Sequence, residues 1–335
     1  MIEELTLATS ALLFAFLLSI ILTNWWIKVA RKNKLLGKDM NKHSKPLVAE
    51  AGGIAVISAI IFSLLFYIFL KTFLLKTELN VLNISILAIT LLLACFIGFI
   101  DDILGWKKGL KQWQKLLLTL PIAVPLIVIN AGHSSMSIPF LGNINFGLLY
   151  PIVLVPLAIL GTTNGYNILA GYNGLEASLG IVIFGAFGII SLFTGQMWLA
   201  LIAGIVIFAL LGFLFFNKYP SEVFPGDSLT YALGALVACF AVFGNIEKLA
   251  LIIFIPFILE GILKARSRLN AENFGIPNKD NSLEAPYKQT YSLTHFALKL
   301  LKKLKPSHKV YEKDVIVFLV LLEVLVAIIA VLRAI

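Results

Sequence analysis

The sequence predicts an all-α fold, a polytopic membrane helical bundle, from three observations. Of the 335 residues, 59% are hydrophobic and only 13% are charged, a composition far from that of soluble domains. The apolar residues fall in long unbroken runs, whereas a membrane β-barrel would show short alternating segments. A spanning helix needs about 20 apolar residues, so about ten helices with their loops account for the length. We therefore expect residues 1–335 to form a single integral membrane domain.

Ten apolar runs of spanning length follow one another along the chain. They lie at about 5–27, 51–70, 81–100, 115–131, 146–162, 177–194, 197–216, 228–244, 248–264 and 314–332. Each run is predicted to be one transmembrane helix.

Basic residues are concentrated on one side of this predicted bundle. The inner segments would hold 23 of the 27 Lys and Arg residues, and the outer segments only Lys71, Lys76, Lys248 and Arg333. The positive-inside rule then places both termini outside the cell membrane and the long polar loops in the cytoplasm. Because this orientation explains most of the net charge of +9, we expect no nucleic-acid partner.

The longest predicted cytoplasmic loop covers residues 264–313. Within it, the turn-rich segment 278–282 could close a small hairpin. From Leu293 to Leu304 the apolar residues follow helical spacing with lysines between them, which predicts an amphipathic helix on the inner membrane surface.

Three carboxylates lie near the inner ends of predicted helices. The third run ends in Asp101-Asp102, and Asp227 precedes the eighth run. Adjacent carboxylates repel each other unless a divalent cation or a proton lies nearby, and Mg²⁺ uses one or two carboxylates together with phosphate oxygens. The alternatives are a solvated helix end for the pair and a helix N-cap for Asp227.

The inner segment 163–176 is polar without any Lys or Arg. It contains Asn164, Asn167 and Asn173, and its glycines suit a backbone that bends close to a ligand. Amide side chains can bind a base or provide oxygen ligands to a metal, although Asn-Gly also favours ordinary turns.

Four other side chains could take part in binding or in function. Glu50, at the start of the second run, could bind a sugar hydroxyl. Phe224 could stack on a planar base, although aromatic residues at this level commonly anchor a protein in the interface. Glu260 and Glu323 lie within spans, where acids are often functional, and Glu323 could pair inside the bundle or across a homodimer contact.

Several motifs follow one another in a fixed order. They are Asp39-x-Asn41-Lys42 with Pro46, Glu50 and Gly53; Gly98-Phe99-Ile100-Asp101-Asp102; Asn164-x-x-Asn167-Ile168-Leu169-Ala170-Gly171-x-Asn173-Gly174-Leu175-Glu176; and Phe224-x-Gly226-Asp227. Together they resemble the polyprenyl-phosphate N-acetylhexosamine-1-phosphate transferases. The branch that they most resemble is the UDP-N-acetylglucosamine–dolichyl-phosphate N-acetylglucosaminephosphotransferases, in an archaeal-like form.

The resemblance implies an enzyme that depends on Mg²⁺, with Mn²⁺ as an alternative. Such an enzyme transfers N-acetylglucosamine-1-phosphate from UDP-N-acetylglucosamine to a polyprenyl (dolichyl) phosphate and releases UMP. This reaction is the first membrane step of glycan assembly such as N-glycosylation.

The resemblance also implies a role for each matched residue. Asp101 and Asp102 correspond to the catalytic acids, Lys115 to a phosphate-binding lysine, and Asn167 and Asp227 to the metal ligands. The substrate-binding residues are then Glu50, Asn164, Gly171, Asn173 and Phe224.

The chain departs from the family pattern at three places. Gly105 stands where an Asp or Asn is common, and the longer segment before Lys115 makes Lys111 a rival for its role. The eukaryotic Arg-His-Arg is replaced by 273–275, so Arg266 and Arg268 become the candidates for pyrophosphate or sugar contacts.

Other readings stay open at this point. A bacterial-type transferase could use undecaprenyl phosphate or another UDP-amino sugar. An ion-coupled transporter would need acids deep in the membrane and a path to both sides, whereas the polar groups here gather on one side.

Overall fold

The computed structural model describes residues 2–76, 80–104, 114, 117–138 and 142–335, and this part of the chain is mostly helical. In chain order the helices are α1 (Ile2–Lys32), α2 (Gly53–Leu70), α3 (Val81–Leu104), α4 (Val124–Val128), α5 (Val155–Ile168), α6 (Leu175–Phe193), α7 (Met197–Asn217), α8 (Gly226–Gly244), α9 (Glu247–Ile253), α10 (Ile255–Ala265), α11 (Leu293–Leu304) and α12 (Glu312–Ala334). Within the described ranges, seven helices are long and apolar enough to cross a membrane, namely α1, α2, α3, α6, α7, α8 and α12.

The other three predicted runs are interrupted at prolines. In the described part of the fourth run, a 3₁₀ turn, Leu120–Ala123, leads into the short α4. The fifth begins as a π-helical turn, Tyr150–Leu154, before α5, and the ninth divides into α9 and α10 just ahead of Pro256. Proline lacks an N–H, and its ring clashes with the preceding turn, so a regular α-helix is distorted or interrupted there.

The predicted polar loop 163–176 is shorter than expected. Helix α5 continues to Ile168 and α6 begins at Leu175, which leaves six residues between them. Asn164 and Asn167 are therefore helical rather than loop residues. The apolar run stops earlier than the helix because the last turn of α5 faces the polar end of the bundle.

Within the described segments, three two-stranded antiparallel sheets connect the helices. They are β1 (Leu36–Lys38) with β2 (Leu47–Ala49), β3 (Ser135–Ile138) with β4 (Gly142–Asn145), and β5 (Ile276–Pro277) with β6 (Leu283–Glu284). The third pair is the hairpin predicted around 278–282. The predicted amphipathic helix is α11, which buries Leu293, Ala297 and Leu298.

Helix α8 forms the centre of the bundle, and glycines let its neighbours approach closely. A Cβ added at Gly98 of α3 would lie 2.3 Å from the carbonyl oxygen of Asp227, and one at Gly53 of α2 would lie 2.2 Å from the backbone nitrogen of Leu229. Only glycine permits such contacts. The end of α3 and the start of α2 are therefore held against the first turn of α8.

Glu323 lies in the middle of α12 and is completely buried by its own chain. Neither carboxylate oxygen has a hydrogen-bond partner among the described residues. The expectation that Glu323 could form a homodimer contact is therefore wrong, because its side chain does not reach the surface.

Candidate active site

The segments that carry the sequence motifs meet at one end of the bundle. The backbone N–H of Phe224 donates to the carbonyl of Ala49 (2.7 Å), and the N–H of Gly52 donates to the carbonyl of Phe224 (2.8 Å). A parallel bridge between Ala49 and Val223 lies beside these bonds. The loop before α2 is thus paired with the loop before α8, which brings Glu50 next to the start of α8.

Asp102 caps the N-terminus of α8 from the neighbouring helix. Its carboxylate accepts hydrogen bonds from the backbone N–H groups of Asp227 (2.6 Å) and Ser228 (3.1 Å). Gly226 has a φ of +70°, and a Cβ there would lie 2.4 Å from a carboxylate oxygen of Asp102. Helix N-termini attract negative charge because their first N–H groups lack partners within the helix.

The sequence left two alternative explanations for these acids, a solvated helix end for Asp101 and Asp102 and a helix N-cap for Asp227, and both are wrong. Asp101 is only 5% exposed and Asp102 binds backbone, so the pair is not a solvated helix end. Asp227 lies inside the first turn of α8 and is not its N-cap, because Asp102 fills the capping role.

Asn167 and Asp227 are in direct contact. The amide of Asn167 donates to the Asp227 carboxylate (2.5 Å) and to the Thr230 hydroxyl (2.9 Å). Tyr231 is buried one turn after Asp227 on the same helix. The last turn of α5 and the first turn of α8 thus form one polar corner.

This corner fits a hard cation that is completed by a substrate. Rotation of the Asn167 amide by a half turn would present its oxygen beside the Asp227 carboxylate. Across the described ranges, no group of three His, Cys, Asp or Glu side chains could hold a metal by itself. Mg²⁺ typically uses one or two carboxylates and takes its other ligands from water and phosphate.

Glu50 lies in a negative environment. Burial raises its pKa to about 8, and the neighbouring charges of Asp102 and Glu176 act in the same direction. The indole N–H of Trp26 fixes its backbone by donating to the Glu50 carbonyl (2.8 Å). At neutral pH the Glu50 side chain is therefore mostly protonated and can donate a hydrogen bond.

Gly171 is held through both of its backbone groups. Its N–H donates to the Glu176 carboxylate (2.7 Å), and its carbonyl accepts from the Asn41 amide (3.0 Å). The oxygen of Asn41 in turn accepts from the N–H of Gly275 (3.0 Å). Gly171 has a φ of +111°, a backbone conformation that any other residue would adopt only with strain.

Asn173 is tied into a buried ion network. Its backbone N–H donates to Glu312 (2.8 Å) and its amide to Asp39 (3.0 Å), and the residue is only 4% exposed. Lys42 bridges the same two acids at 2.7 and 2.8 Å and lies over the Tyr219 ring. Asn173 thus positions the loop in this structure, and its predicted contact with the base stays a prediction.

Asn273 fastens the long loop to the end of α5, a role that sequence reasoning missed. Its amide donates to the carbonyls of Ile168 (2.7 Å) and Ala170 (2.8 Å). Glu260, which the sequence left unexplained, accepts from the N–H of Leu293 (2.6 Å) and so holds the first turn of α11.

A largely apolar cavity of about 900 Å³ opens from this polar corner. At the polar end it is lined by Asn164, Asn167, Lys264 and Asn273, and at the far end by Tyr150 and Glu247. The walls between are mainly apolar and include Leu154, Leu157, Val237, Ala241, Phe254 and Phe257.

The remaining predicted residues are less closely connected with the corner. Phe224 is half-buried beside Glu50, whereas Arg266 is exposed and donates to the carbonyl of Thr290 (3.3 Å). Neither Arg266 nor Arg268 lines the cavity. Lys115 and its rival Lys111 lie outside the described residues, so their roles stay predictions.

Comparison with known proteins gives a consistent result. The sequence matches the family model of glycosyl transferase family 4 over residues 83–245. It is 38% identical over 296 residues to a Saccharolobus solfataricus protein provisionally named UDP-N-acetylglucosamine–dolichyl-phosphate N-acetylglucosaminephosphotransferase, covering 86% of this chain and 87% of that one. A protein of the same provisional name from Sulfolobus acidocaldarius is 31% identical, with 87% and 88% covered.

A bacterial relative carries a different name. The phospho-N-acetylmuramoyl-pentapeptide-transferase of Halalkalibacterium halodurans is 33% identical over 277 residues, covering 78% of this chain and 81% of the relative. The family match includes α3, α5 and the start of α8, which build the polar corner. With such identity over most of the length of its relatives, the chain belongs to glycosyl transferase family 4.

Proposed function

We propose that this chain transfers N-acetylglucosamine-1-phosphate from UDP-N-acetylglucosamine to a polyprenyl phosphate such as dolichyl phosphate. The observation that supports this proposal most strongly is that the polar corner of Asn167 and Asp227 lies at the mouth of the apolar cavity. A phosphate-binding cation and a lipid tail can therefore be held side by side. The two archaeal relatives named for this reaction support the choice of substrates.

In the proposed reaction an oxygen of the lipid phosphate attacks the β-phosphorus of the donor. A P–O bond forms there, the bond from the β-phosphorus to the bridging oxygen breaks, and UMP leaves with that oxygen. A phosphate monoester has its second pKa near 6, so the acceptor is mostly dianionic at neutral pH. Positioning of the two phosphates then matters more than proton removal.

Asp227 and Asn167 would hold Mg²⁺, which neutralises charge on the transferred and leaving phosphates when bound. Asp102 positions Asp227 by capping its helix, and Asn164 and Tyr231 line the cavity beside the corner. Glu50 can donate a hydrogen bond to the donor while it is protonated.

The cavity suits the lipid in length as well as in polarity. The stretch from Tyr150 to Ile168 lines it from end to end and would rise about 27 Å as helix. The hydrocarbon core of a bilayer is about 30 Å thick. A polyprenyl tail could thus remain in an apolar environment while its phosphate reaches the polar corner.

We place the corner on the cytoplasmic side of the cell membrane. The predicted inner segments carry most of the Lys and Arg, and the loops that build the corner belong to those segments. A soluble nucleotide sugar would then reach the site from the cytoplasm.

A second candidate is transfer of phospho-N-acetylmuramoyl-pentapeptide, because the bacterial relative with that name is 33% identical over 277 residues. To test this, purified protein is incubated with Mg²⁺, one of the two UDP-sugars labelled in the sugar, and either dolichyl or undecaprenyl phosphate. We expect lipid-extractable label from UDP-N-acetylglucosamine. Label from the muramoyl donor alone would favour the second candidate, and no lipid label from either would contradict both.

A further inference from the structure

Within the residues that the structure describes, the site has a surplus of negative charge. Asp101, Asp102 and Asp227 surround the corner, and both substrates of the proposed reaction add phosphates. Among the described residues that line the cavity, Lys264 is the one cation. From the sequence alone, Lys264 is only one of many basic residues predicted on the inner side of the membrane.

Lys264 belongs to the same cavity wall as the polar corner formed by Asn167 and Asp227. Helix α10 packs on the end of α5 where a Cβ at Gly261 would lie 3.7 Å from the Ile168 side chain. The Asn273 amide fastens the following loop to the carbonyl of Ile168, and Lys264 donates to the carbonyl of Ala271 in that loop. Ile168 directly follows Asn167, so the lysine lies at the polar end of the cavity.

The ammonium of Lys264 retains the capacity to bind an anion. It is only 6% exposed and donates one hydrogen bond to the described residues, whereas an ammonium has three N–H donors. In the described part of the chain it forms no ion pair within 4.0 Å. Burial lowers the pKa of this ammonium, and the charges of Glu260 and Glu272 act in the opposite direction. Glu260 is itself bound to the start of α11.

We propose that Lys264 binds the phosphate of the polyprenyl acceptor at the polar end of the apolar cavity. The inference rests on the proposed function. A tail that fills the apolar part of the cavity must leave its head at the end where Lys264 and Asn164 lie. A dianionic monophosphate there gains charge-assisted hydrogen bonds that a free polyprenol cannot make.

The rival explanation is structural, with Lys264 only tying the loop to α10 through Ala271. The two explanations differ in what they predict for ligands with and without a phosphate. Loss of a phosphate contact weakens binding of the phosphorylated lipid alone, whereas a loosened loop weakens binding of both lipids.

The experiment compares wild type with Lys264→Gln, Lys264→Met and Lys264→Arg, using binding of polyprenyl phosphate and of polyprenol with the same tail to detergent-purified protein. The Met variant keeps the packing of the stem, so charge can be removed with little change in volume. Lys303→Gln, at an exposed lysine of α11, is the matched control. Thermal midpoints are measured for every variant.

We expect the Gln and Met variants to bind polyprenyl phosphate about ten- to a hundredfold more weakly, with polyprenol binding changed less than about twofold. Lys264→Arg should restore most of the affinity, and Lys303→Gln should match wild type. Equal losses for both lipids, or no loss for either, would overturn the inference and leave the proposed function standing. Wild-type protein with no preference for the phosphorylated lipid would overturn both.

Discussion

The Asp102 carboxylate lies 2.6 Å from the backbone nitrogen of Asp227, so the end of α3 caps the helix whose next turn faces the cavity. This bond connects residues 125 positions apart in the sequence. The direction in which the Asp227 side chain points therefore depends on a carboxylate from another helix. Asp102 is a positioning residue in this arrangement, while Asp227 touches the proposed cation.

Substitution of the two acids should separate these roles. We expect Asp102→Ala to lower the free energy of unfolding by about 1–2 kcal/mol, because a helix cap is lost. Asp227→Ala should leave stability nearly unchanged and reduce kcat at least about 100-fold, because a ligand of the cation is lost. Thermal unfolding and turnover of both variants check this. The reverse pattern would contradict the assigned roles.

The close approach of α3 to α8 can be tested at glycine. Gly98→Ala should lower both stability and activity, because the new Cβ would lie 2.3 Å from the carbonyl oxygen of Asp227. Gly185→Ala in α6 is the matched control, since no atom lies within 4 Å of its added Cβ. It should be neutral or stabilising by about 0.5–1 kcal/mol. Equal thermal midpoints for the two variants would show that the contact is unimportant.

Glu50 should make stability depend on pH. Its pKa rises from an ordinary value of 4.5 to about 8 in the folded state. Between these values the folded state keeps a proton that the unfolded state has lost, so stability falls as the pH rises through this window. Glu50→Gln removes this dependence. The variant should unfold at a higher temperature than wild type at pH 8, with little difference at pH 5; a gap that is the same at both pH values would argue against a raised pKa.

The buried network around Lys42 should contribute far more to stability than a surface pair. Lys42→Met leaves Asp39 and Glu312 without their shared cation, and breaking a buried pair typically costs about 3–5 kcal/mol. Lys302→Met breaks the exposed pair with Glu284, where the typical cost is about 0–1 kcal/mol. Denaturant unfolding of both variants measures the difference.

The same Lys42 variant should weaken donor binding if the network positions the loop that contains Gly171 and Asn173. We expect the KM for the UDP-sugar to rise and the binding of polyprenyl phosphate to stay unchanged. A variant that is destabilised but has a normal KM would limit the network to a structural role.

Much of the architecture could be predicted because local signals encode it. Composition and run length predict the seven continuous helices, and turn residues and helical spacing predict the hairpin and α11. The π-helical turn at Pro151 and the division of the ninth run at Pro256 carried a local signal, the proline itself, that run length alone does not use. The extension of α5 to Ile168 had no such signal in the sequence, because the last turn of this helix is polar.

The sequence carried a signal for the candidate residues but not for most of their contacts. Motif order indicated Asn167 and Asp227, which do touch. By contrast, Lys42 meets Glu312 across 270 positions, and only tertiary packing creates that pair. The function of Asp102 as a cap was likewise hidden, because capping by a residue of another helix leaves no sequence pattern.

The most direct test follows the two phosphorus atoms of the donor in wild-type protein and in Asp227→Ala. With Mg²⁺, polyprenyl phosphate and UDP-N-acetylglucosamine labelled with ³²P in the β position, we predict that the label becomes lipid-extractable, whereas α-labelled donor leaves its ³²P in the aqueous phase as UMP. Asp227→Ala should transfer almost none. Lipid-extractable sugar without the β-phosphorus, or full transfer by Asp227→Ala, would contradict the proposed chemistry and its site.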